Sequence, residues 1–196
     1  YKNGKIIWAK NYKVPFRSNL KIVNDKLVAA NQNNDLYFFN KNNGNILKTF
    51  PTEETITKNE FVNNISANEK NIFFLNTFGT LYSINRKSLR LNWFVNLNQT
   101  LDLRPSNIFL SNQIVNDEKK IVISSRQYTY LIDAKSGFIN QRFNFGSNVK
   151  PLILNNYLFL ITNNSFLISL ELNSGKIIYS YDLNKKISDF YNIRKR

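Results

Sequence analysis

The run Thr100-Leu101-Asp102-Leu103-Arg104-Pro105-Ser106 holds the side chains of this chain best suited to recognition. Two leucines alternating about an aspartate project the same way from extended backbone. The arginine adds a charged anchor, and apolar groups beside an arginine make interface hot spots. Leu101, Leu103 and Arg104 are therefore the expected partner-binding residues. The competing reading packs both leucines beneath the start of a strand.

Side chains for bond-breaking chemistry are scarce. The chain has no cysteine, hence no disulfide, thiol nucleophile or thiolate metal site. It has no histidine, which removes the commonest general base and metal ligand. The acids Asp25, Asp35, Asp117-Glu118 and Asp133 fall mainly at turns, where capping and solvated roles are usual. Asp117-Glu118-Lys119-Lys120 reads as a charged hairpin tip. Ser124-Ser125 has no base nearby in sequence and reads as a strand end. Gly79 and Gly146 are isolated turn glycines rather than a phosphate-cradling loop. No catalytic residue, metal ligand or cofactor site is expected. Asn64-Ile65-Ser66, Asn98-Gln99-Thr100 and Asn163-Asn164-Ser165 match glycosylation acceptors, as chance allows in so Asn-rich a chain.

A net charge of +14 invites a nucleic-acid or anionic-membrane reading. Its distribution argues otherwise. The charges are scattered through turns, and Lys, Asn and Ile are abundant together, as an AT-rich genome produces on neutral surfaces. The densest cluster runs from Lys185-Lys186 to Arg194-Lys195-Arg196, a basic tail or linker over 185–196. Nucleic acid is not an expected partner, and attraction to anionic lipid or peptidoglycan is at most secondary. The many aromatics fall at alternating strand positions and read as core rather than base-stacking platforms. No run of about 18 apolar residues, the length of a membrane-spanning helix, occurs.

These residues sit in a repeat. An Asn, Asp or Glu is followed four residues later by a turn glycine in Asn40…Gly44, Asp133…Gly137 and Glu171…Gly175. Asn85…Leu89 keeps the spacing without the glycine, and Gly4 begins a partial copy. Four residues beyond the turn stand Trp8, Trp93 and Tyr179, with Lys48 and Gln141 in the remaining copies. Counted from Gly4, the turn positions lie 40, 45, 48 and 38 residues apart. Short apolar runs at this period signal radially repeated β structure. Each copy holds runs of four to eight residues rich in Ile, Val, Phe, Tyr and Leu, bounded by Asn, Gly and Ser. An opening strand is expected at Leu20–Val23, Phe61–Ile65, Ser106–Leu110 and Leu152–Leu154. That makes four antiparallel strands per copy, one propeller blade, with no stretch of helical period. We expect an all-β propeller region over 1–196, with about four blades belonging to a seven- or eight-bladed ring that continues beyond the chain. The alternative is a closed four-bladed ring whose last blade is completed by strand Lys5–Ala9.

Asp133-Ala134-Lys135-Ser136-Gly137, Glu171-Leu172-Asn173-Ser174-Gly175-Lys176-Ile177-Ile178-Tyr179 and Gly4-Lys5-Ile6-Ile7-Trp8 resemble the repeat of the pyrroloquinoline-quinone-type β-propellers. The resemblance covers Gly4 to Leu183. It implies that a Gly and a Trp of successive blades dock on each other. Gly4, Trp8, Gly44, Trp93, Gly137, Gly175 and Tyr179 would do so here, while Lys48, Gln141 and Leu89 depart from the pattern. Enzymes and scaffolds share this fold, so it does not decide function. The quinoprotein dehydrogenase branch implies a vicinal disulfide against the cofactor, a catalytic Asp and Ca²⁺ ligands, and this chain has no Cys pair. The scaffold branch, of the BamB type, carries a Leu-x-Leu-Arg stretch at the point where Leu101, Leu103 and Arg104 stand. That branch implies a non-enzymatic monomeric propeller in the periplasm. It would hold the inner face of the outer membrane through a lipid anchor outside this chain and grip the barrel-forming assembly subunit. A generic adaptor propeller with an unrelated partner is the third reading.

Overall fold

The computed structural model describes residues 4–53, 64–98 and 108–185. The chain divides into two compact units, Tyr1–Phe109 and Leu110–Arg196. The first unit holds β1 (Lys21–Val23), β2 (Lys26–Ala30), β3 (Leu36–Asn40) and β4 (Ile46–Phe50), then β5 (Asn64–Ala67), β6 (Asn71–Leu75), β7 (Thr80–Asn85) and β8 (Leu91–Asn96). The second holds β9 (Val115–Asn116), β10 (Lys120–Ser124), β11 (Thr129–Asp133) and β12 (Ile139–Phe143), then β13 (Leu152–Leu154), β14 (Tyr157–Ile161), β15 (Phe166–Glu171) and β16 (Ile177–Asp182). Each unit is two antiparallel four-stranded meanders, the expected propeller blades.

One turn chemistry recurs in all four sheets. Between third and fourth strands, the amides of Gly44, Leu89, Gly137 and Gly175 donate to the carbonyls of Asn40, Asn85, Asp133 and Glu171. All four turn positions have positive φ, from 53° at Leu89 to 77° at Gly137. Glycine adopts that region without penalty, whereas Leu89 holds it while being buried. A β-bulge follows in every sheet, beside Phe38, Ser83, Leu131 and Ser169. The spacing legible in the sequence is therefore a turn plus a bulge, which re-aims the outer strand.

In the first unit the core lies between its two sheets. Val28, Leu36 and Phe38 of the first meet Ile72, Phe74 and Ile84 of the second, with Leu89 reaching in from its turn. Phe38 and Phe74 are fully buried, each contributing about 2–3 kcal/mol by removal from water. The first sheet's other face carries Tyr37 and Phe39, stacked at 5.8 Å and covered by Tyr12 and Phe16. In the second unit, Val122 and Leu131 pack on Leu158, Leu160, Ile168 and Leu170. The far face of that last sheet leaves Leu152, Leu154, Tyr157, Ile161, Tyr179 and Tyr181 exposed.

Three expectations about strands need correction. The opening strand expected at Ser106–Leu110 is instead Val115–Asn116. Residues 108–110 form no strand, and 106–107 lie outside the described residues. The Asp117 carboxylate caps the amides of Lys119 and Lys120, and this fixes the hairpin, and so the strand, directly before it. The strand expected at Phe61–Ile65 runs on to Ala67, two residues past its expected end, where the Asn68 side chain caps Lys70 and Asn71. Residues 61–63 lie outside the described residues. Lys5–Ala9 is not a strand. Of the tail at 185–196, only Lys185 is described.

Candidate functional site

Leu101, Leu103 and Arg104 lie outside the described residues, but both stems of their loop are described. On one side the Leu97 amide donates to the Gly79 carbonyl at 2.8 Å. On the other the Phe109 amide donates to the Thr77 carbonyl at 2.9 Å. The Phe109 ring lies so close over Gly79 that a Cβ there would come within 2.9 Å of it. Chain departure and chain return are thus held at one hairpin turn, Asn76–Gly79. That turn is itself braced, since the Asn76 carboxamide accepts from the amides of Phe78 and Thr80. Asn34, fully buried, donates to the Thr77 hydroxyl at 2.8 Å from the turn of the preceding sheet.

The docking residues divide into several arrangements. Trp8 lies against Gly44: a Cβ on that glycine would fall 2.6 Å from the indole. Its Nε1 donates to the Lys41 carbonyl at 2.8 Å. At the next turn a different pair stands. Lys48 donates through Nζ to the Leu89 carbonyl at 2.6 Å. In the second unit Gln141 reaches the Gly175 turn, where its Nε2 donates to the Ser174 carbonyl at 3.3 Å. Its Oε1 is buried without a hydrogen-bond partner. Trp93 packs on Phe73 at 6.1 Å, and its buried Nε1 also has no partner. Tyr179 is about half-exposed on the last strand, Gly137 takes φ of 77° in its turn, and Gly4, at φ 60°, has open space around it.

The acids are occupied with neighbours and turns. Asp25 binds the Lys26 ammonium at 2.8 Å, which, with backbone hydrogen bonding, holds its carboxyl below the ordinary value. Asp35 accepts from the Asn31 carboxamide at 2.9 Å. Partial burial pushes the Asp133 carboxyl up, but hydrogen bonds from Ser136 and from the Lys135 amide outweigh it, and the carboxyl ends below its ordinary value. Glu53 accepts from Asn76 and from the Thr80 hydroxyl, both at 3.1 Å. Burial, with Glu53 nearby, pushes the Tyr82 hydroxyl up to about 12. Among the described residues no group of three or more His, Cys, Asp or Glu side chains could hold a metal ion. The vicinal disulfide associated with the dehydrogenase cofactor cannot form without cysteine, so this chain does not fit that arrangement.

Sequence reasoning missed one site altogether. In the second unit an open cleft of about 610 Å³ lies where the β10–β11 turn, the connection leaving β12 and the β14–β15 turn converge. Its described lining includes Arg126, Tyr128, Arg142, Asn144 and Asn163, and among the described residues no acidic side chain lines it. The Arg142 guanidinium stands 4.7 Å over the Tyr128 ring. Gly146 forms its floor, where any Cβ would strike the Ser125 and Arg126 carbonyls at 2.2 and 2.3 Å. Asn163 ties the walls together: its amide donates to the Gly146 carbonyl at 3.0 Å and its carboxamide to the Arg126 carbonyl at 2.8 Å. The available signal was that Arg126 and Arg142 are the cations at repeat positions otherwise held by neutral residues.

No protein-family model and no curated protein sequence matches this chain. Solved structures do resemble it. BamB from Moraxella catarrhalis superposes with a TM-score of 0.68 at 13% identity, over 92% of this chain and 54% of that one. The quinohemoprotein alcohol dehydrogenase of Comamonas testosteroni gives 0.68 at 11% identity, over 86% of this chain and 35% of that one. The computationally designed Ika4 protein gives 0.64 at 8% identity, over 86% of this chain and 99% of that one. This chain thus spans about half the length of the BamB structure and about a third of the dehydrogenase. The likeness establishes the fold: these are all-β propeller blades, of the kind shared by BamB and by quinohemoprotein dehydrogenases.

Proposed function

We propose that this chain forms part of a non-catalytic propeller scaffold of the BamB kind. It supports insertion of β-barrel proteins into the outer membrane from the periplasm. The scaffold works by rigid display: stacked sheets fix the turns, and partners bind on the loops between them. The partner is the barrel-forming assembly subunit, gripped by Leu101, Leu103 and Arg104.

The observation that carries this reading is the double anchoring of the loop stems, Leu97 and Phe109, on the Asn76–Gly79 turn. Backbone held at both ends of a connection lowers the ordering cost of binding through it. Two leucines and an arginine between such stems suit a protein interface better than a reaction.

The test is capture of the barrel-forming subunit by the full-length protein. Leu103→Asp and Arg104→Glu should each abolish capture while leaving the thermal transition unmoved. Capture that survives both changes sinks the site. The dehydrogenase reading shares the fold, so a second arm adds pyrroloquinoline quinone and Ca²⁺. Bound-cofactor absorbance would overturn the scaffold reading.

A further inference from the structure

We infer that Asn43 is a modification site. Its side-chain amide condenses with the Gly44 nitrogen and converts to aspartate and isoaspartate, at a rate the Trp8 indole sets. The inference stands apart from the barrel-assembly reading.

The repeat singles this residue out. Ser88, Ser136 and Ser174 stand directly before the turn positions of three sheets, and Asn43 takes that place in the first. The Ser136 hydroxyl accepts from the Phe138 amide at 3.3 Å, and the Ser174 hydroxyl from the Lys176 amide at 3.2 Å. At Asn43 the carboxamide oxygen accepts instead, from the Asn45 amide at 3.0 Å. A hydroxyl there is inert, but a carboxamide carries an electrophilic carbon. The bond to Asn45 closes a ring that contains the Gly44 nitrogen and draws electron density from that carbon.

The step balances with water alone. The Gly44 nitrogen gives up its proton and bonds to Cγ of Asn43. The bond from Cγ to Nδ2 breaks, and ammonia leaves with the proton, so a succinimide closes. Water then opens either carbonyl of that ring, to aspartate or to isoaspartate. Glycine favours the attack because it has no Cβ to crowd the nitrogen. Asn precedes Gly at two places in the chain, 3–4 and 43–44. Asn43 is exposed, so water reaches its carboxamide.

The fold opposes the step at Gly44 itself. Its amide donates to the Asn40 carbonyl at 2.8 Å, which holds the proton that must leave. The indole lies where a Cβ on Gly44 would fall, 2.6 Å away, and is tied by Nε1 to the Lys41 carbonyl. Turning Gly44 to close the five-membered ring requires that indole to lift. Gly4 has open space around it, so the chain carries one clamped Asn-Gly pair and one whose glycine is free. Asn3 lies outside the described residues. Isoaspartate adds a methylene to the main chain between 43 and 44, which breaks the turn and its clamp together.

The experiment incubates the full chain at mildly alkaline pH and follows amide-to-acid conversion by peptide mass mapping, with chromatography separating the two acid isomers. Asn3 is the internal reference. Asn43 should convert more slowly than Asn3 and should yield both isomers. Trp8→Ala should speed Asn43 about tenfold, the ratio that about 1.4 kcal/mol of local opening sets, and leave Asn3 unchanged. Trp8→Phe keeps a ring over Gly44 and loses only the bond to the Lys41 carbonyl. It should give a rate between the two, and decides the matter if the alanine protein fails to fold. Asn43→Ser should abolish conversion at this turn without moving the thermal transition. Asn43 still intact in the Trp8→Phe and Trp8→Ala proteins after Asn3 has converted overturns the site. One rate at Asn43 in all three folded proteins overturns control by Trp8. Equal conversion at asparagines not followed by glycine overturns the glycine-assisted route.

Discussion

Two glycine turns of the same design are docked in opposite ways. At Gly44 an indole fills the space a Cβ would need, and its N–H is satisfied by the Lys41 carbonyl. At Gly175 the space is taken by the end of the Gln141 side chain, whose buried oxygen finds no donor. The turn backbones match hydrogen bond for hydrogen bond. What differs is the stiffness of the neighbour. A ring with two torsions locks the glycine in place, whereas a carboxamide can swing away. One repeat thus encodes a fixed turn and leaves the strength of its clamp to a single residue.

The comparison can be broken most sharply at the glycines. Gly44→Ala adds a methyl group against the indole as well as left-handed backbone strain, and should lose about 3 kcal/mol in denaturant unfolding. Trp8→Ala removes the clamp itself and should lose about 2 kcal/mol, less than a fully buried Trp because this one is partly exposed. Gly175→Ala should lose only about 1 kcal/mol, the backbone term, since Gln141 can move aside. A loss at Gly175 equal to that at Gly44 would show that the neighbours are equally rigid. Gln141→Trp converts one clamp into the other and should raise the unfolding free energy by about 1 kcal/mol, read as a higher Tm.

The smallest effect is pH dependence at the remaining turns. Asp133 caps the Lys135 and Ser136 amides, where Asn85 caps Lys87 and Ser88 in the equivalent turn. The Asp133 carboxyl titrates below its ordinary value of 3.8 in the folded chain. Its stabilisation is therefore present above 3.8 and lost as pH falls through the lowered folded value. Asp133→Asn should flatten the acid limb of a stability-against-pH curve while changing little at neutral pH.

The fold was largely legible because its signal is local. Turn chemistry at Asn40…Gly44 and its copies is written within five residues, and alternating apolar runs fix the strands on either side. Strand starts were less legible where apolar content and capping disagreed. Ile108 looked like a strand residue, yet the cap at Asp117 sets the pairing, at Val115–Asn116. Docking was half legible. Lys48 and Gln141 stood out as departures, but only the structure shows the carbonyls they reach. The Arg126–Arg142 cleft was not legible in a linear reading. Strand pairing brings together residues that lie 16 positions apart in sequence.

The shared anchorage of Leu97 and Phe109 also bears on how such a chain can change over time. Both bonds to the Asn76–Gly79 turn are made by main-chain amides, which every residue except proline supplies. The intervening stretch can therefore be exchanged like a cassette, longer or shorter, at only a slow logarithmic cost in closure entropy. A propeller built this way can acquire a new partner by swapping one insert while the sheets beneath it stay as they are.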